Sequence, residues 1–222
     1  TAIKVGSSEI GVKAAFAHTA SENQGHSNAE YDKLFEESGV LREKTWQEFL
    51  DTSLALGNCP PLRGDNVVII TNGGGAGLLA ADHFERLGMP LKELKDISPD
   101  LRENIRNYMP AFGSPLNPVD ISGTATSDMY GGALKTAYRD EHVDGILISV
   151  CPTAVTDVEA ITETVINIHR QYKNLGKPFI MECQGGNECR EAIMKLRDKG
   201  IPAYSTPEQA VNAMVALRRY SH

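Results

Sequence analysis

Among the side chains able to do chemistry, His18 has the most suggestive setting. It lies in Ala17-His18-Thr19-Ala20, after the small-residue stretch Lys13-Ala14-Ala15-Phe16 and before the polar run Ser21-Glu22-Asn23-Gln24-Gly25. A histidine in a polar loop can accept a phosphoryl group on a neutral ring nitrogen, and an ordinary imidazole pKa of about 6.5 leaves it mostly neutral near pH 7. Taken alone, the local pattern favours a solvated surface histidine, since nothing in it demands chemistry. A second feature is the turn Thr71-Asn72-Gly73-Gly74-Gly75-Ala76-Gly77, set between an apolar run and a helical stretch. Glycines there let a backbone approach a ligand closely, and a helix start offers free amides and a positive dipole end to an anion. The spacing matches neither a dinucleotide fingerprint nor a Walker loop, because no acidic residue ends a following second strand and no Gly-Lys-Ser/Thr follows. A tight turn that only lets helix and strand pack closely is the other reading.

Three more small, polar loops follow apolar runs: Asp120-Ile121-Ser122-Gly123-Thr124, Cys151-Pro152-Thr153-Ala154 and Gln184-Gly185-Gly186-Asn187. Ligands of open α/β sheets bind beyond the carboxyl ends of strands, so these loops and the glycine turn are expected to share one rim. No Ser-His-Asp order, HExxH or paired-carboxylate spacing stands out. His83 and His169 fall on helical stretches and His142 in a turn, all three structural or solvated, and Trp46 is expected to pack. Cys59, Cys151, Cys183 and Cys189 contain no CxxC pair and fit no common zinc spacing. They read as separate thiols rather than a disulfide framework, and no metal site is expected.

The elements that must position these residues alternate. Val67-Val68-Ile69-Ile70, Gly145 to Val150 and Pro178 to Glu182 are short apolar runs, the form of strands buried on both faces. Helices are expected at Gly77–Leu87, from Ser98-Pro99, at Ser127–Arg139, Asp157–Tyr172 and Glu188–Lys199, and after Thr206-Pro207, with short strands at Pro118–Ile121 and Ala203-Tyr204. Strands alternating with helices imply right-handed crossovers and a mostly parallel sheet, hence an α/β, flavodoxin-like, doubly wound domain over residues 65–222. Residues 1–58 supply too little sheet for a domain: one strand at Ala2–Gly6, a helix near Asn28–Ser38, a short strand at Val40-Leu41 and a helix at Thr45–Leu56. They read as the tail of a second α/β domain, joined by a linker at 59–64 that Pro60-Pro61 keeps non-helical. The chain is accordingly expected to be a piece of a longer polypeptide.

Composition sets outer limits. The 222 residues are 41% hydrophobic and 23% charged, ordinary for a globular protein, and the net charge of −7 argues against nucleic-acid binding by phosphate neutralisation. No apolar run reaches the roughly 18 residues of a membrane span. A reducing cytoplasm suits the thiols.

In order along the chain, these pieces resemble the ADP-forming acyl-CoA synthetases. Lys4-Val5-Gly6-Ser7, Ala17-His18-Thr19, Tyr31-Asp32, Phe35 and Gly39-Val40 resemble the end of that family's α-type ligase domain, which reads K-S-G-R-S and then S-H-T-G-S. Val67 to Gly77 resembles its V-T-N-A-G-G-P-G turn. Asn117-Pro118-Val119-Asp120 matches N-P-V-D, and Pro152-Thr153-Ala154 matches P-T-A. Gly176-Lys177-Pro178, Gly185-Gly186, Gly200-Ile201-Pro202 and Thr206-Pro207-Glu208 fall in the same order. Both halves are more distantly similar to succinyl-CoA synthetase subunits. Ala20 replaces a usual glycine, and Ala76 stands where a proline is usual.

The resemblance implies reversible conversion of acid, CoA and ATP into acyl-CoA, ADP and phosphate through an acyl phosphate and a phosphohistidine, by position His18. It implies that Asn72, Gly73, Gly74, Gly75, Ala76 and Gly77 steady the phosphoryl group, while Pro152, Thr153, Ala154, Ser122 and Gly123 shape the substrate pocket. ATP or ADP with Mg2+, and CoA, would be bound mainly by ATP-grasp and CoA-binding domains outside this chain. Those domains or subunits are the expected partners, in an oligomer acting on a small carboxylic acid, with acetate, hydroxy and aryl acids all open. The carboxylate that orients His18 is expected upstream. A synthetase-like regulatory module of a protein acetyltransferase, or a non-catalytic flavodoxin-like interaction domain, are the competing readings.

Overall fold

In the computed structural model the described residues are 1–18 and 28–221, with the side chains of Phe16 and His18 outside the description. Three apolar runs form the centre of a six-stranded sheet: β3 (Val67–Thr71), β6 (Gly145–Val150) and β7 (Phe179–Cys183), every residue of each buried. Shorter strands extend it: β5 (Val119–Asp120), with β4 (Ser114–Pro115) beyond it at one edge, and β8 (Ala203–Tyr204) at the other. The order is β4-β5-β3-β6-β7-β8, with only β4 antiparallel. Pro115 is tolerated there because an edge strand leaves one row of amides unpaired. Numbered among themselves, the parallel strands run 2-1-3-4-5, the flavodoxin-type order. The chain therefore switches direction across the sheet at β3, and the crevice at a switch point opens beside β3 and β6.

Alternating side chains divide the core. Val68, Ile70, Ile146, Ile148 and Met181 share one cluster with α7 (Ser127–Arg139), α8 (Val158–Tyr172) and α9 (Asn187–Asp198). Val67, Ile69, Leu147, Ile180 and Tyr204 meet α3 (Trp46–Asn58), α4 (Gly74–Arg86) and α10 (Pro207–Tyr220) on the opposite face. Each fully buried Val, Ile or Leu is worth about 1.5–3 kcal/mol, so both faces of the sheet and the helices packed on them share the stabilisation. Caps begin the helices where the sequence provides them. Thr45 and Glu48 form a capping box on α3, Thr126 caps α7, Asp157 caps α8, and Thr206 with Pro207 starts α10. Short helices α5 (Leu94–Ile97) and α6 (Leu101–Arg106) lead into β4.

The amino-terminal part is sparser. β1 (Ala2–Ile3) pairs in parallel with β2 (Arg42–Glu43), flanking α1 (Glu9–His18) and α2 (Asn28–Glu37), and α2 buries none of its residues. Val5 and Ile10 are 73% and 81% exposed. Helix α3 is instead anchored on the six-stranded sheet: Tyr204 Oη donates to the Asp51 carbonyl (2.7 Å) and Gln209 Nε2 to Asp51 Oδ2 (2.9 Å).

Several expectations shift. The strand expected at Val40-Leu41 forms two residues later. Trp46 does not pack into a core; it is 63% exposed and stacks on Phe49 at 5.4 Å. The residues leading to His18 are helical rather than a loop, because the Lys13–Ala17 run of small and apolar residues continues α1. Cys183 and Cys189 are joined as a disulfide, not separate thiols. The turn from the end of β7 into the first residues of α9 brings their Cα atoms to 5.3 Å, a return that linear spacing does not reveal.

Candidate functional site

The expected glycine turn is part of a helix. Helix α4 begins at Gly74, three residues before the sequence suggested, with Gly73 as its N-cap. Its first intrahelical bond runs from the Gly77 amide to the Gly73 carbonyl (3.2 Å), so the amides of Gly74, Gly75 and Ala76 precede the ladder at the positive end of the helix. Thr71 fixes the entry: its Oγ1 accepts from the Gly73 amide (3.0 Å) and donates to the Gly73 carbonyl (3.1 Å). Glycine is required at 73, where a Cβ would stand 2.5 Å from Cys151 Sγ.

Asn72 bridges the crevice. Its Nδ2 donates to the Cys151 carbonyl (2.9 Å) and its Oδ1 accepts from the Cys151 amide (2.8 Å), tying the loop after β3 to the loop after β6. The other loops close around this bridge. Thr153 Oγ1 donates to the Gly123 carbonyl (2.9 Å), and Thr156 Oγ1 accepts from the Thr153 amide (2.9 Å). Gln184 Nε2 reaches Cys151 Sγ (3.1 Å), and Pro152 packs beside Gly185. Ser122 takes a left-handed φ of 79°, uncommon for a residue with a side chain. It is held there by its amide bond to Asp120 Oδ1 (2.8 Å).

The structure thus brings Asn72, Gly73, Gly74, Ser122, Gly123, Pro152 and Thr153 to one rim. Ala154 turns into a separate cavity of about 580 Å3 walled by α8 and α9. His18 ends α1, and its side chain lies outside the described residues.

Two acids shape this rim: Asp120, in one of the expected loops, and Glu182, which the site expectation did not include. Asp120 Oδ2 stands 2.7 Å from where a Gly74 side chain would begin, so a carboxylate lies beside the helix start. Glu182 lies beneath the rim, fully buried. Its partners across the strands are Ser149 and Tyr204, and Ser149 itself pairs with Thr71. Ser149 Oγ donates to Glu182 Oε2 (2.5 Å), while Oε1 has no partner among the described residues. Burial pushes the Glu182 carboxyl up to about 7; the Ser149 hydrogen bond opposes this, and repulsion from Glu208 adds to it. The sequence did carry a signal here, since Glu182 is the one charged residue in the three central strands. The Cys151 thiol is raised, first by burial, against the Gln184 hydrogen bond, and further by Glu182 and Asp120. A thiol so placed is a weak nucleophile near neutral pH.

The remaining described histidines have local partners. His83 Nε2 lies 2.8 Å from Asn212 Oδ1, and Tyr138 Oη lies 2.8 Å from His169 Nδ1. Burial holds His169 down to about 4, with Lys173 contributing, so its ring is neutral. Among the described residues no group of three or more His, Cys, Asp and Glu side chains could hold a metal ion.

A switch-point crevice closed by these loops, with α4 starting on glycines, agrees with the sequence comparison: residues 67–222 match the Ligase-CoA domain model. This chain belongs to the Ligase-CoA domain family. Among relatives of this Ligase-CoA protein, acetate–CoA ligase (ADP-forming) I subunit alpha of Pyrococcus furiosus is 43% identical over 225 residues, 99% of this chain and 46% of that subunit. The 4-hydroxybutyrate–CoA ligase (ADP-forming) of Nitrosopumilus maritimus is 30% identical over 221 residues, 99% of this chain and 30% of that enzyme. The chain thus spans less than half the length of either relative. A solved dinucleotide forming acetyl-coenzyme A synthetase 1 of Ca. Korarchaeum cryptofilum, in complex with phosphate and ADP, superposes with a TM-score of 0.90 at 35% identity, over 98% of this chain and 46% of that one. No helix among the described residues of this Ligase-CoA protein is long and apolar enough to cross a membrane.

Proposed function

We propose that this chain is the ligase portion of an ADP-forming acyl-CoA synthetase, in which His18 carries the phosphoryl group and the start of α4 steadies it. The observation that carries this reading is the set of amides at Gly74, Gly75 and Ala76 that precede the helix ladder, at the switch point of the sheet. In the direction of ATP synthesis, phosphate displaces CoA from acyl-CoA to give an acyl phosphate. A ring nitrogen of His18 then attacks phosphorus, the free acid departs, and the phosphoryl group passes from His18 to ADP. The helix start contributes fixed dipoles toward the phosphoryl oxygens, preorganised by the Thr71 and Asn72 hydrogen bonds. Ser122, Gly123, Pro152 and Thr153 border the same crevice.

On this reading residues 1–58 complete a second ligase domain, 59–64 link it to 65–222, and the protein acts in the cytoplasm within an oligomer. CoA and the nucleotide, with Mg2+ arriving as part of the nucleotide substrate, bind chiefly to the other domains or subunits of the synthetase. The substrate is a small carboxylic acid.

The test uses the complete synthetase with labelled ATP and magnesium. Acid-labile, base-stable label on the wild type, absent from His18→Ala, is expected. Absence of label on folded wild-type protein, or label that survives His18→Ala, overturns the assignment.

A further inference from the structure

At the opposite end of the six-stranded sheet from the rim, near the amino ends of β7 and β8, lies a cavity of about 430 Å3. Four cations line it, Arg170, Lys173, Lys177 and Lys199, and no acidic side chain does. In a chain of net charge −7, such a concentration of one sign stands out. Among the described residues the Arg170, Lys173 and Lys199 side chains form no ion pair or hydrogen bond. The nearby acid Glu163 is held by Lys195 at 2.5 Å.

Helix electrostatics accounts for part of this pattern. Arg170 lies in the last turn of α8 and Lys199 directly after α9, where cations offset the negative helix ends. Lys177 belongs to no helix. It is half-buried in the segment leading into β7, and its ammonium donates to the Asp140 carbonyl. Burial lowers its pKa against the pull of Asp140 and Asp144. An ammonium has three donors, so Lys177 keeps two beyond that bond. Ile166, Ile201 and Pro60 give the cavity apolar walls, and Asn58 at the end of α3 closes one side.

We propose that this cavity is a binding site for a polyphosphate group, either free or as the phosphate chain of a nucleotide. Four cations exceed what a single carboxylate or phosphate would neutralise, whereas linked phosphates present several oxygens to a guanidinium fork and to ammonium point charges. Because Asn58 and Pro60 belong to the connection between α3 and β3, the ligand touches that connection as well as the sheet. The site is separate from the rim and does not depend on the function proposed for it.

The test is titration of the full chain with sodium pyrophosphate, ADP and adenosine, read by calorimetry and by backbone amide shifts. Pyrophosphate is expected to bind, more weakly as ionic strength rises, with shifts at Lys173–Lys177 and Lys199–Ile201. Lys173→Gln combined with Lys199→Gln, both exposed and distant from the rim, is expected to weaken binding about tenfold or more while leaving thermal unfolding in place. Tighter binding of ADP than pyrophosphate identifies a nucleotide, and the reverse order a free polyphosphate. No binding, shifts confined to Gly73–Gly77, equal affinity in the double variant, or adenosine binding as tightly as ADP overturns the proposal.

Discussion

The two ends of the six-stranded sheet present donors of different kinds. At the carboxyl end the donors are backbone amides at the start of α4, with Asp120 and Glu182 close by. At the amino end the cavity is lined by Arg and Lys side chains and by helix carboxyl ends. Amides carry no proton that titrates near neutral pH and cost no side-chain entropy to hold, so the first arrangement is rigid and compatible with an acidic chain. The second depends on long cationic side chains, of which Lys177 is tied to the Asp140 carbonyl, and their attraction acts over a longer range and is screened by salt. Geometry is built into one end and charge into the other.

The clearest way to separate the two ends is by pH. Glu182, at the rim, has a folded pKa of about 7 against an ordinary 4.5. Its folded pKa is raised, so the stability tied to its protonated form is complete below about 4.5 and is lost as pH climbs through 7. The difference corresponds to about 3 kcal/mol. Chemical denaturation on the acid and alkaline sides of pH 7 should show Glu182→Gln gaining on the wild type as pH rises; parallel curves would contradict it. His169, beside the cavity, has the opposite sign. Its folded pKa of about 4 lies below the ordinary 6.5, so its contribution is present above 6.5 and is lost as pH falls toward 4. His169→Gln should flatten that acidic limb while leaving the alkaline one alone.

Rigidity at the rim can be tested directly. Gly73→Ala forces a methyl group against Cys151 Sγ and is expected to cost about 1–3 kcal/mol in urea unfolding. Cys151→Gly in the same chain should recover part of that, and no recovery would place the strain elsewhere. A smaller effect, about 1 kcal/mol, is expected for Tyr138→Phe, which removes the partner of His169 Nδ1. Equal stability of that variant and the wild type would show that solvent replaces the bond.

Much of this frame was legible in the sequence, for reasons particular to each element. β3, β6 and β7 announce themselves because strands buried on both faces admit few polar residues. α10 does so because Thr206-Pro207 is both cap and first turn. The start of α4 was misjudged because glycines disfavour helix interiors, yet they are acceptable in a first turn where close approach to Cys151 matters more. The convergence of Asn72, Gly123, Thr153 and Gln184 follows from strand order, which the spacing of loops suggested. Their individual hydrogen bonds were not readable. Glu182 was visible as a lone acid in apolar surroundings, but its burial and its bond to Ser149 arise only once β6 and β7 lie in register. The cysteine pair depends on the geometry of one local turn, from β7 into α9, and the Arg170–Lys199 cavity on distant segments meeting at the amino end of the sheet.

A carboxamide is a peptide group without a chain attached, and Asn72 uses its own as one. By donating to the Cys151 carbonyl and accepting from the Cys151 amide, it adds a rung just past the end of the β3–β6 ladder. The width of the cleft mouth is therefore gauged by one side chain rather than left to the loops. Replacing that carboxamide by the carboxylate of Asn72→Asp would set an oxygen against the Cys151 carbonyl and spread the mouth. With the aperture fixed in this way, the two loops share one separation instead of two independent positions.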